Sequence, residues 1–412
     1  MSDDAQAFPG DRQATSAAVA SLYNTYPFPP DPILDEPPPG YNWRWNWLTA
    51  YSFCSGRKPN RRDIQILDAG CGTGVGTEYL VHLNPEADVL GIDLSRKALD
   101  IAQERCRRSG ADRVSFQQMS LYDVDQLGQS FDWINCVGVL HHLPDPVGGI
   151  QALAKTLLPG GIMHVFVYAA LGRWEIQLTQ EAIALLQGDR RGDYADGVAV
   201  GRELFASLPE ENRLRRREQE RWSLENHRDE CFADMYVHPQ EVDYTVETLF
   251  ELIDASGLAF VGFSNPNYWD LGRLLDKAPQ LLARADALSD RQRYRLVEVL
   301  DPEITHYEFF LARPPLDAVE WTDERLQRAV PELSPCVEGW PSRTLFDANY
   351  RIVKLDEDQF AFLSDCHQNT DSDGAARADQ ATVGELCHKY NVPLQTVRDL
   401  QRRQLLILEP RD

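Results

Sequence analysis

Short apolar runs alternate with amphipathic stretches from about residue 63 onward, and this alternation predicts the fold of most of the chain. The apolar runs have the length of buried strands, and the stretches between them show the period of helices. Such alternation is typical of a parallel sheet that helices cover on both faces. Strands are predicted at 64–67, 89–92, 114–117, 131–137, 163–168, 258–263 and 306–312. The sequence therefore predicts an α/β fold with a doubly wound, mostly parallel, seven-stranded sheet.

Changes in composition divide the chain into three parts. Residues 1–62 form an amino-terminal segment rich in aromatic residues and proline, and residues 63–315 contain the predicted sheet. Within the second part, residues 172–243 and 266–303 are too long to be connecting loops, so we interpret them as helical insertions. Residues 316–412 combine helical stretches with few strands and predict a small, separate α+β domain.

The amino-terminal segment contains an unusual run of aromatic residues. Trp43, Trp45 and Trp47 occupy alternate positions, which would place the three indoles on one face if the backbone is extended. This face could pack as core, because aromatic side chains bury large areas, or it could cover a ligand pocket. The sequence leaves both interpretations open.

The charge of the chain limits its partners. Asp and Glu total 64 against 41 Lys and Arg, so the net charge at pH 7 is −23. A surface of this charge repels nucleic-acid phosphates and anionic lipids, which predicts no nucleic-acid partner. The first residues lack the features of a secretory signal, and no apolar run approaches the ~18 residues of a membrane span. We therefore expect a cytoplasmic protein with no membrane span.

Composition adds two further expectations. Hydrophobic residues make up 43% of the chain, which excludes a disordered or low-complexity protein. The eight cysteines are scattered and contain no C-x-x-C pair. This usage is typical of reduced thiols in a packed interior rather than of disulfides or a zinc site, so no metal is predicted.

The strongest chemical signal follows the first predicted strand. Asp68 ends that strand, and Gly70, Gly72 and Gly74 follow at alternate positions before a helix. Glycine allows a tight turn and a close approach of the backbone to a ligand, and the free N–H groups of the helix point to the same place. No register of these glycines gives the dinucleotide pattern G-x-G-x-x-G, which counts against a nicotinamide oxidoreductase.

A second acid ends the next predicted strand. Asp93 comes 19 residues after Gly74, where a carboxylate can accept hydrogen bonds from both hydroxyls of a ribose. The two acids and the glycines together predict a site for an adenosine-containing ligand that does not need phosphates.

These motifs, in their order and spacing, resemble class I S-adenosylmethionine-dependent methyltransferases. The resemblance rests on the acid-G-x-G-x-G loop, on the second acid, and on Phe131–Ile134, Leu140–Pro146 and Leu157–Gly161 further along. It runs from about 63 to 170 and resumes less distinctly over 245–315. The resemblance implies a Rossmann-like methyltransferase sheet, S-adenosyl-L-methionine as the cofactor, and transfer of its methyl group to an acceptor.

The resemblance also implies which residues bind the cofactor. Asp68 and the glycines would hold its methionine end, and Asp93 would hold the ribose. Ser120 stands where the family often has an acid for the adenine amino group, which implies weaker recognition of adenine there. An aromatic-proline segment around Tyr23 would fold over the cofactor and bring the tyrosine to its carboxylate. The remaining residues implied as cofactor-binding are Gly70, Cys71, Gly72, Gly74, Leu94, Leu121, Cys136 and Val137.

His141 and His142 are the candidate catalytic residues, because they follow the strand whose end would line the sulfonium. An imidazole suits a general base near pH 7, although a well-placed nucleophile can accept a methyl group without a base. Adjacent positions on a helix point about 100° apart, so at most one of the two would face a substrate. In the other interpretation both histidines pack or form hydrogen bonds inside the domain.

The carboxy-terminal domain contains a succession of predicted elements. In order, these are residues 345–350 and 355–357, helical stretches at 382–390 and 392–401, and a final apolar run at 405–408. This succession is similar to a winged helix, of the kind that recognises leader peptides or follows the methyltransferase domain of certain bacterial protein lysine methyltransferases. The similarity implies a protein or peptide partner. DNA binding is disfavoured, because the stretch that would be the recognition helix carries three arginines in a strongly acidic protein.

The sequence leaves two kinds of acceptor and one alternative function open. An apolar or aromatic small molecule would bind near the tryptophans and the insertions. A protein side chain would be presented with help from the carboxy-terminal domain. Alternatively, the chain is a non-catalytic module that binds S-adenosylmethionine and regulates a partner.

Overall fold

The computed structural model describes residues 9–369 and 380–411. The chain divides into two compact units, each assembled from separate stretches of the sequence. The first unit takes in the residues up to 36, 65–78 and 89–313, and the second takes in 37–64, 79–88 and the residues from 314 onward. The amino-terminal segment is therefore divided between the two units.

Helices and strands make up most of both units. The helices are α1 (Pro9–Thr25), α2 (Trp47–Ser55), α3 (Val75–Leu83), α4 (Arg96–Ser109), α5 (Pro146–Thr156), α6 (Trp174–Gln187), α7 (Tyr194–Ser207), α8 (Arg213–Arg217), α9 (Asp229–Tyr236), α10 (Val246–Ser256), α11 (Gly272–Leu275), α12 (Pro279–Ala285), α13 (Asp290–Leu300), α14 (Asp323–Arg328), α15 (Glu357–Asn369), α16 (Val383–Tyr390) and α17 (Leu394–Arg402). The strands are β1 (Gln65–Ala69), β2 (Asp88–Asp93), β3 (Val114–Gln118), β4 (Phe131–Val137), β5 (Leu157–Tyr168), β6 (Ala259–Phe263), β7 (His306–Ala312), β8 (Val330–Leu333), β9 (Thr344–Phe346), β10 (Ile352–Lys354) and β11 (Leu406–Glu409). Within the described residues, none of the helices has the length and apolarity that a membrane span needs.

The first unit is built on a seven-stranded sheet with the order β3-β2-β1-β4-β5-β7-β6. Strand β2 pairs with β3, β1 with β4 and β4 with β5, and all three pairs are parallel. Strand β7 runs antiparallel to both of its neighbours, β5 and β6. This order and these directions confirm the predicted α/β fold with a mostly parallel, seven-stranded sheet and helical insertions.

Strand β5 begins at Leu157 rather than at Met163, where the sequence predicts its start. The intervening Pro-Gly-Gly sequence is typical of a turn. In the structure, the Gly160 N–H donates to the Arg313 carbonyl at 2.8 Å, and the Arg313 N–H donates to the Gly161 carbonyl at 3.0 Å. Because the residue that follows β7 satisfies these backbone groups, the strand continues through the predicted turn.

The first insertion has a small core of its own. Ile176 and Ile183 of α6 pack in one cluster with Phe232 and Tyr236 of α9 and with Leu22 of α1. Burial of these side chains removes apolar surface from water and holds the three helices together. The insertion therefore fixes the position of α1, the helix that carries Tyr23.

The second unit contains the helices α14 to α17 and two antiparallel strand pairs, β8 with β11 and β9 with β10. Its core is apolar, and Phe362, Leu363 and Cys366 of α15 are fully buried in it. The unit thus has the small α+β character that the sequence predicts. Its similarity to a winged helix stays a prediction.

The tryptophan segment, residues 43–47, lies in the second unit and is helical. The alternate positions of its indoles would also fit an extended backbone, which the structure does not have. Trp43–Trp45 form a 3-10 turn, and α2 begins at Trp47. Asn46 favours this conformation, because its side chain accepts a hydrogen bond from the Thr49 N–H at 3.1 Å and caps α2. Trp43 and Trp47 are buried, so two of the three indoles are core residues of this unit.

Replacing Phe362 with alanine should destabilise the second unit. The ring is fully buried, and loss of a buried aromatic ring lowers the free energy of unfolding by about 3–5 kcal/mol. Phe346→Ala is the matched control, because that ring is 38% exposed, and its loss should cost less than about 1 kcal/mol. Urea unfolding followed by tryptophan fluorescence measures both variants. Equal losses would contradict the placement of Phe362 in the core.

Candidate functional site

The parallel strands of the first unit end at one edge of the sheet, and the predicted site residues lie there. The strands β2 and β3 lie on one side of β1, and β4 and β5 lie on the other. At such a switch point the loops after neighbouring strands diverge and leave a crevice for a ligand. Asp68 and Asp93 lie at the ends of β1 and β2, and Val137 and Tyr168 lie at the ends of β4 and β5.

The glycine loop, Gly70–Gly74, turns between β1 and α3. Its three glycines have φ angles of 79°, 52° and 81°, which side chains with a Cβ rarely adopt. A Cβ at Gly74 would lie 2.7 Å from the Cβ of Ala102, and one at Gly72 would lie 2.5 Å from the carbonyl oxygen of Phe28. The loop therefore needs glycine both for its backbone angles and for close approach of its neighbours.

The Asp68 carboxylate is buried and accepts two hydrogen bonds. Thr77 Oγ1 donates to Oδ2 at 2.5 Å, and Asn135 Nδ2 donates to Oδ1 at 2.8 Å. Burial raises the pKa of this carboxyl to about 6; the two hydrogen bonds oppose the rise, and the charge of Asp93 adds to it. Asp68 therefore titrates close to neutral pH while its oxygens stay oriented.

The Asp93 carboxylate accepts hydrogen bonds from the backbone. The Gly72 N–H donates to Oδ2 at 2.9 Å, and the Ser95 N–H donates to Oδ1 at 2.8 Å. Burial raises the pKa of Asp93, and the bonds from the backbone oppose this rise. Each carboxylate oxygen can accept a second hydrogen bond, so these contacts leave capacity for a ligand.

The other predicted cofactor residues differ in how far they reach the surface. Leu94 and Val137 are partly exposed at this edge of the sheet. The Ser120 hydroxyl accepts a hydrogen bond from the backbone N–H two residues later, at 3.3 Å. Leu121 and Cys136 are buried in the core of the first unit. These last two side chains support the edge from the interior.

A proline-rich strap, residues 26–35, crosses the glycine loop. Two of its carbonyl oxygens accept hydrogen bonds from Thr73, one from the backbone N–H at 3.2 Å and one from the hydroxyl at 2.6 Å. The buried Arg105 of α4 donates to two further strap carbonyls at 2.7 and 2.9 Å and to the Thr73 carbonyl at 3.0 Å. One guanidinium therefore fastens the strap to the loop. Sequence analysis missed Arg105, because an arginine in an amphipathic helix is typical of a solvated face.

Tyr23 of α1 reaches the first insertion. Its hydroxyl donates to Asp234 Oδ1 of α9 at 2.8 Å, and its ring centroid lies 5.7 Å from that of His238. Burial raises the pKa of Tyr23, and the negative charges of Asp234 and, more weakly, Asp93 add to the rise. Tyr23 thus lies within electrostatic range of both Asp234 and Asp93. Its predicted contact with the cofactor carboxylate stays a prediction.

Three histidines, His141, His142 and His238, form what we call the imidazole cluster. The His142 ring stacks on His238 at 3.7 Å, and the His141 and His142 ring centroids are 4.2 Å apart. Burial lowers the pKa of all three, that of His142 to about 3, so the rings are neutral at pH 7. Within the described part of the chain, both ring nitrogens of His141 and Nε2 of His238 are buried without a hydrogen-bond partner. Such atoms point to a ligand that supplies the partner.

A buried arginine holds one wall of the imidazole cluster. The Tyr168 ring centroid lies 3.9 Å from that of His141, and the guanidinium of Arg173 lies 3.4 Å from the Tyr168 centroid. Arg173 also forms ion pairs with Glu241 at 3.1 Å and with Asp243 at 3.7 Å. A cation held over the ring by two carboxylates fixes the position of Tyr168 and of the histidine beside it.

Sequence analysis missed Asp234 and His238, because both lie in the first insertion, far from His142 along the chain. Read locally, the His238-Pro239 pair predicts only the start of a new element. A usable signal was the position of the insertion, which starts directly after β5. The end of the insertion also lies beside the end of β5, since the Tyr244 N–H donates to the Tyr168 carbonyl at 2.9 Å.

Several known proteins are similar to the chain in sequence. A family model described as a methyltransferase domain matches residues 66–161. An uncharacterized protein of Synechococcus sp. is 57% identical over 399 residues, which are 96% of this chain and 94% of that protein. The uncharacterized phycocyanin operon protein W of Pseudanabaena tenuis is 79% identical over 94 residues, 23% of this chain and 89% of that protein. The ubiquinone biosynthesis O-methyltransferase of Methylococcus capsulatus is 37% identical over 119 residues, 29% of this chain and 46% of that protein.

A solved structure with a similar fold is PKMT2 from Rickettsia typhi. It has a TM-score of 0.61 at 16% sequence identity, over 90% of this chain and 76% of that chain. The structure of PKMT2 in complex with AdoHcy has the same TM-score and identity, over 91% of this chain and 77% of that chain. At this identity the likeness establishes the fold.

Gly74→Ala should lower the stability of the first unit more than Gly128→Ala does. Both glycines have a positive φ, so each substitution costs about 1–2 kcal/mol in backbone strain. Only the new Cβ at position 74 would meet a close neighbour, since nothing lies within 4 Å of one at Gly128. We expect an additional loss of about 1–3 kcal/mol for Gly74→Ala in urea unfolding. Equal losses would show that the close approach to Ala102 is relieved without cost.

Proposed function

We propose that this chain, which belongs to the class I S-adenosylmethionine-dependent methyltransferases, transfers the methyl group of its cofactor to a nucleophile bound beside the imidazole cluster. The cofactor is S-adenosylmethionine. One observation carries the proposal. Two acids and the glycine loop meet at the switch point of the sheet, within the residues that the methyltransferase family model matches.

The residues at the switch point fit this cofactor. The Asp93 carboxylate would accept hydrogen bonds from the ribose hydroxyls, and Asp68 would pair with the ammonium group of the methionine end. The glycines give the loop the positive φ angles with which it turns at the end of β1, and Leu94 would flank the adenine. When bound, the cofactor supplies an electrophilic methyl group on its sulfonium.

The acceptor would bind on the β4 and β5 side of the site, where the imidazole cluster and Tyr168 lie. His141 and His142 are neutral at pH 7. The unpartnered nitrogens of His141 and His238 can orient an uncharged acceptor group through a hydrogen bond, and the His142 ring packs against both of those rings. We assign them this positioning of the acceptor. An imidazole with a pKa of about 3 is a weak base, so removal of the acceptor's proton needs a stronger one.

Asp234 is the base that the surroundings favour. Its Oδ1 accepts the hydrogen bond from Tyr23, and burial raises its pKa to about 6, against the effects of that bond and of the charge of Arg173. A carboxylate with this pKa is mostly ionised at pH 7 and is basic enough to take a proton during methyl transfer. The proton of the acceptor would move to Asp234 as the acceptor atom gains its bond to the methyl carbon, and the bond between that carbon and sulfur would break to leave S-adenosylhomocysteine.

A protein is the acceptor that we propose first, with the phycocyanin subunits as candidates. The Pseudanabaena tenuis relative is named a phycocyanin operon protein, and the proteins of one operon commonly serve one process. The second unit, with its similarity to a winged helix, is where we expect a protein partner to bind. A small-molecule acceptor is the second candidate, because the Methylococcus capsulatus relative is named for ubiquinone biosynthesis.

Calorimetric titration with S-adenosylmethionine tests cofactor binding. Asp93→Ala should weaken binding by more than about tenfold, or ~1.4 kcal/mol, because the ribose hydroxyls lose their acceptor. Asp112→Ala is the matched control, since it removes the same charge from an exposed position of the same unit. Equal affinities of the wild type and Asp93→Ala would exclude the ribose contact, and a wild type that does not bind would exclude the cofactor assignment.

Asp234→Asn should lower the rate of methyl transfer at neutral pH by about 10²–10⁴-fold, the usual contribution of a general base. With S-adenosylmethionine at saturating concentration, so that titration of Asp68 does not limit binding, the wild-type rate should fall as the pH drops through about 6, because Asp234 takes up a proton. This dependence should disappear in the variant. Formation of S-adenosylhomocysteine is measured with recombinant phycocyanin subunits made in a host that lacks this chain.

Asp229→Asn provides the control for this measurement, because Asp229 lies in the same helix with its side chain 58% exposed. An unchanged rate and pH profile in Asp234→Asn would exclude Asp234 as the base. If the wild type forms no S-adenosylhomocysteine with the subunits or with a panel of small molecules, the non-catalytic module becomes the better description.

A further inference from the structure

Five polar side chains form a continuous line of hydrogen bonds across the sheet of the first unit. Asn135 of β4 donates to Asp68 Oδ1 at 2.8 Å, and its Oδ1 lies 2.9 Å from Nδ1 of His164 in β5. His164 Nε2 lies 3.1 Å from Oε1 of Glu308 in β7, and Ser264 Oγ donates to Glu308 Oε2 at 2.7 Å. We call Asn135, His164 and Glu308 the polar row.

Strand register places these side chains next to one another. Asp68 pairs with Asn135 in the β1–β4 ladder, and Asn135 pairs with His164 in the β4–β5 ladder. Residues paired in this way point to the same face of a sheet. Three adjacent strands therefore each contribute a buried polar residue to one face of the sheet. Apolar residues of similar volume commonly give equal or greater stability, so the row has a purpose other than packing.

The hydrogen bonds of the polar row have a fixed direction. Because the Asn135 amide gives its N–H to Asp68, its oxygen must accept the Nδ1–H of His164. On the other side of the ring, His164 Nε2 lies against Glu308 Oε1, and Ser264 donates to the second oxygen of that carboxyl group. The His164 ring, with a proton on Nδ1, is therefore held between an amide oxygen and a carboxyl group.

We propose that Asn135, His164 and Glu308 are positioning residues that keep the Asp68 carboxylate ionised and turned toward the ammonium group of the cofactor. This inference rests on the proposed function, because it concerns how the S-adenosylmethionine site holds its ligand. The hydrogen bond from His164 polarises the Asn135 amide, and a polarised N–H donor stabilises the ionised form of Asp68. The row thus connects the methionine end of the site to β7, three strands away in the sheet.

Asp68 needs this support because its surroundings favour the protonated form. Burial raises its pKa to about 6, and the hydrogen bonds from Thr77 and Asn135 keep it from rising further. The other titratable groups that face it are Asp93, Cys71, Cys106 and Cys136. Burial raises the pKa of the three thiols so far that they stay protonated near neutral pH. Loss of a hydrogen-bond donor therefore moves the titration of Asp68 into the neutral range.

The test is the pH dependence of S-adenosylhomocysteine binding to the full chain, measured by calorimetry between about pH 5.5 and 8.5. This ligand has the same methionine end, and it should bind the wild type less tightly as the pH drops through about 6. Asn135→Leu removes the donor, and Glu308→Gln removes the carboxyl group that holds the His164 ring against Asn135. Both should move the midpoint up by about one pH unit, which weakens binding about fivefold at pH 6 and leaves it unchanged at about pH 8.5.

Glu298→Gln is the matched control. Glu298 is another buried carboxylate of the first unit, and it accepts hydrogen bonds from Tyr307 and from the Val246 N–H outside the polar row. This variant should lose stability without moving the midpoint. If Asn135→Leu does not fold, Glu308→Gln decides alone, because it keeps the size of the side chain.

Two results would overturn the inference. One is an unmoved midpoint in the row variants, and the other is a loss of affinity by the same factor at every pH, which a purely structural role would produce. A wild type that binds no S-adenosylhomocysteine at any pH would instead overturn the proposed function. The two failures are therefore distinguishable in one set of titrations.

Discussion

In the proposed site, two carboxylates at the ends of neighbouring strands have to stay ionised close to each other, and the hydrogen-bond donors around each of them serve this requirement. The charge of Asp93 raises the pKa of Asp68, and burial acts in the same direction on both. Two different sets of hydrogen-bond donors stabilise the ionised forms of the two carboxylates. Asp93 accepts from the backbone N–H of Gly72 in the glycine loop and from the backbone N–H of Ser95. Asp68 accepts from the side chains of Thr77 and Asn135, and Asn135 is hydrogen-bonded in turn to His164 of the polar row.

The fold was predictable wherever the signal was local. Most strands of the large sheet are largely apolar runs, because a strand buried on both faces has few positions for polar residues. The start of β5 was not predictable, since the Pro-Gly-Gly sequence is typical of a turn and only the pairing with Arg313 extends the strand. The tryptophan segment was ambiguous for a related reason. Alternating indoles fit an extended strand, and the cap that Asn46 provides favours a helix instead.

The candidate site likewise has one part that local sequence signals predict and another part that they do not. Asp68, the glycine loop and Asp93 lie within one short stretch, so their spacing alone suggests a ligand site. Asp234 and His238 come from an insertion and follow Asp93 by about 140 residues. The hydrogen bonds of the polar row join residues that are up to 144 positions apart along the chain. A single sequence contains no record of such contacts, because they depend on register and on how helices pack. The side of the site that would hold the acceptor was therefore the least predictable part.

The strands enter the sheet in an order that differs from their order of synthesis. Strand β6 is made before β7, yet β6 reaches the sheet only through β7. Until residue 306 has been made, one edge of β5 thus has no strand to pair with, and unpaired edges are where growing chains aggregate. The first insertion can bury its own small core with α1 during this interval. The insertion that brings Asp234 and His238 to the site therefore also lengthens the period in which the nascent chain is exposed.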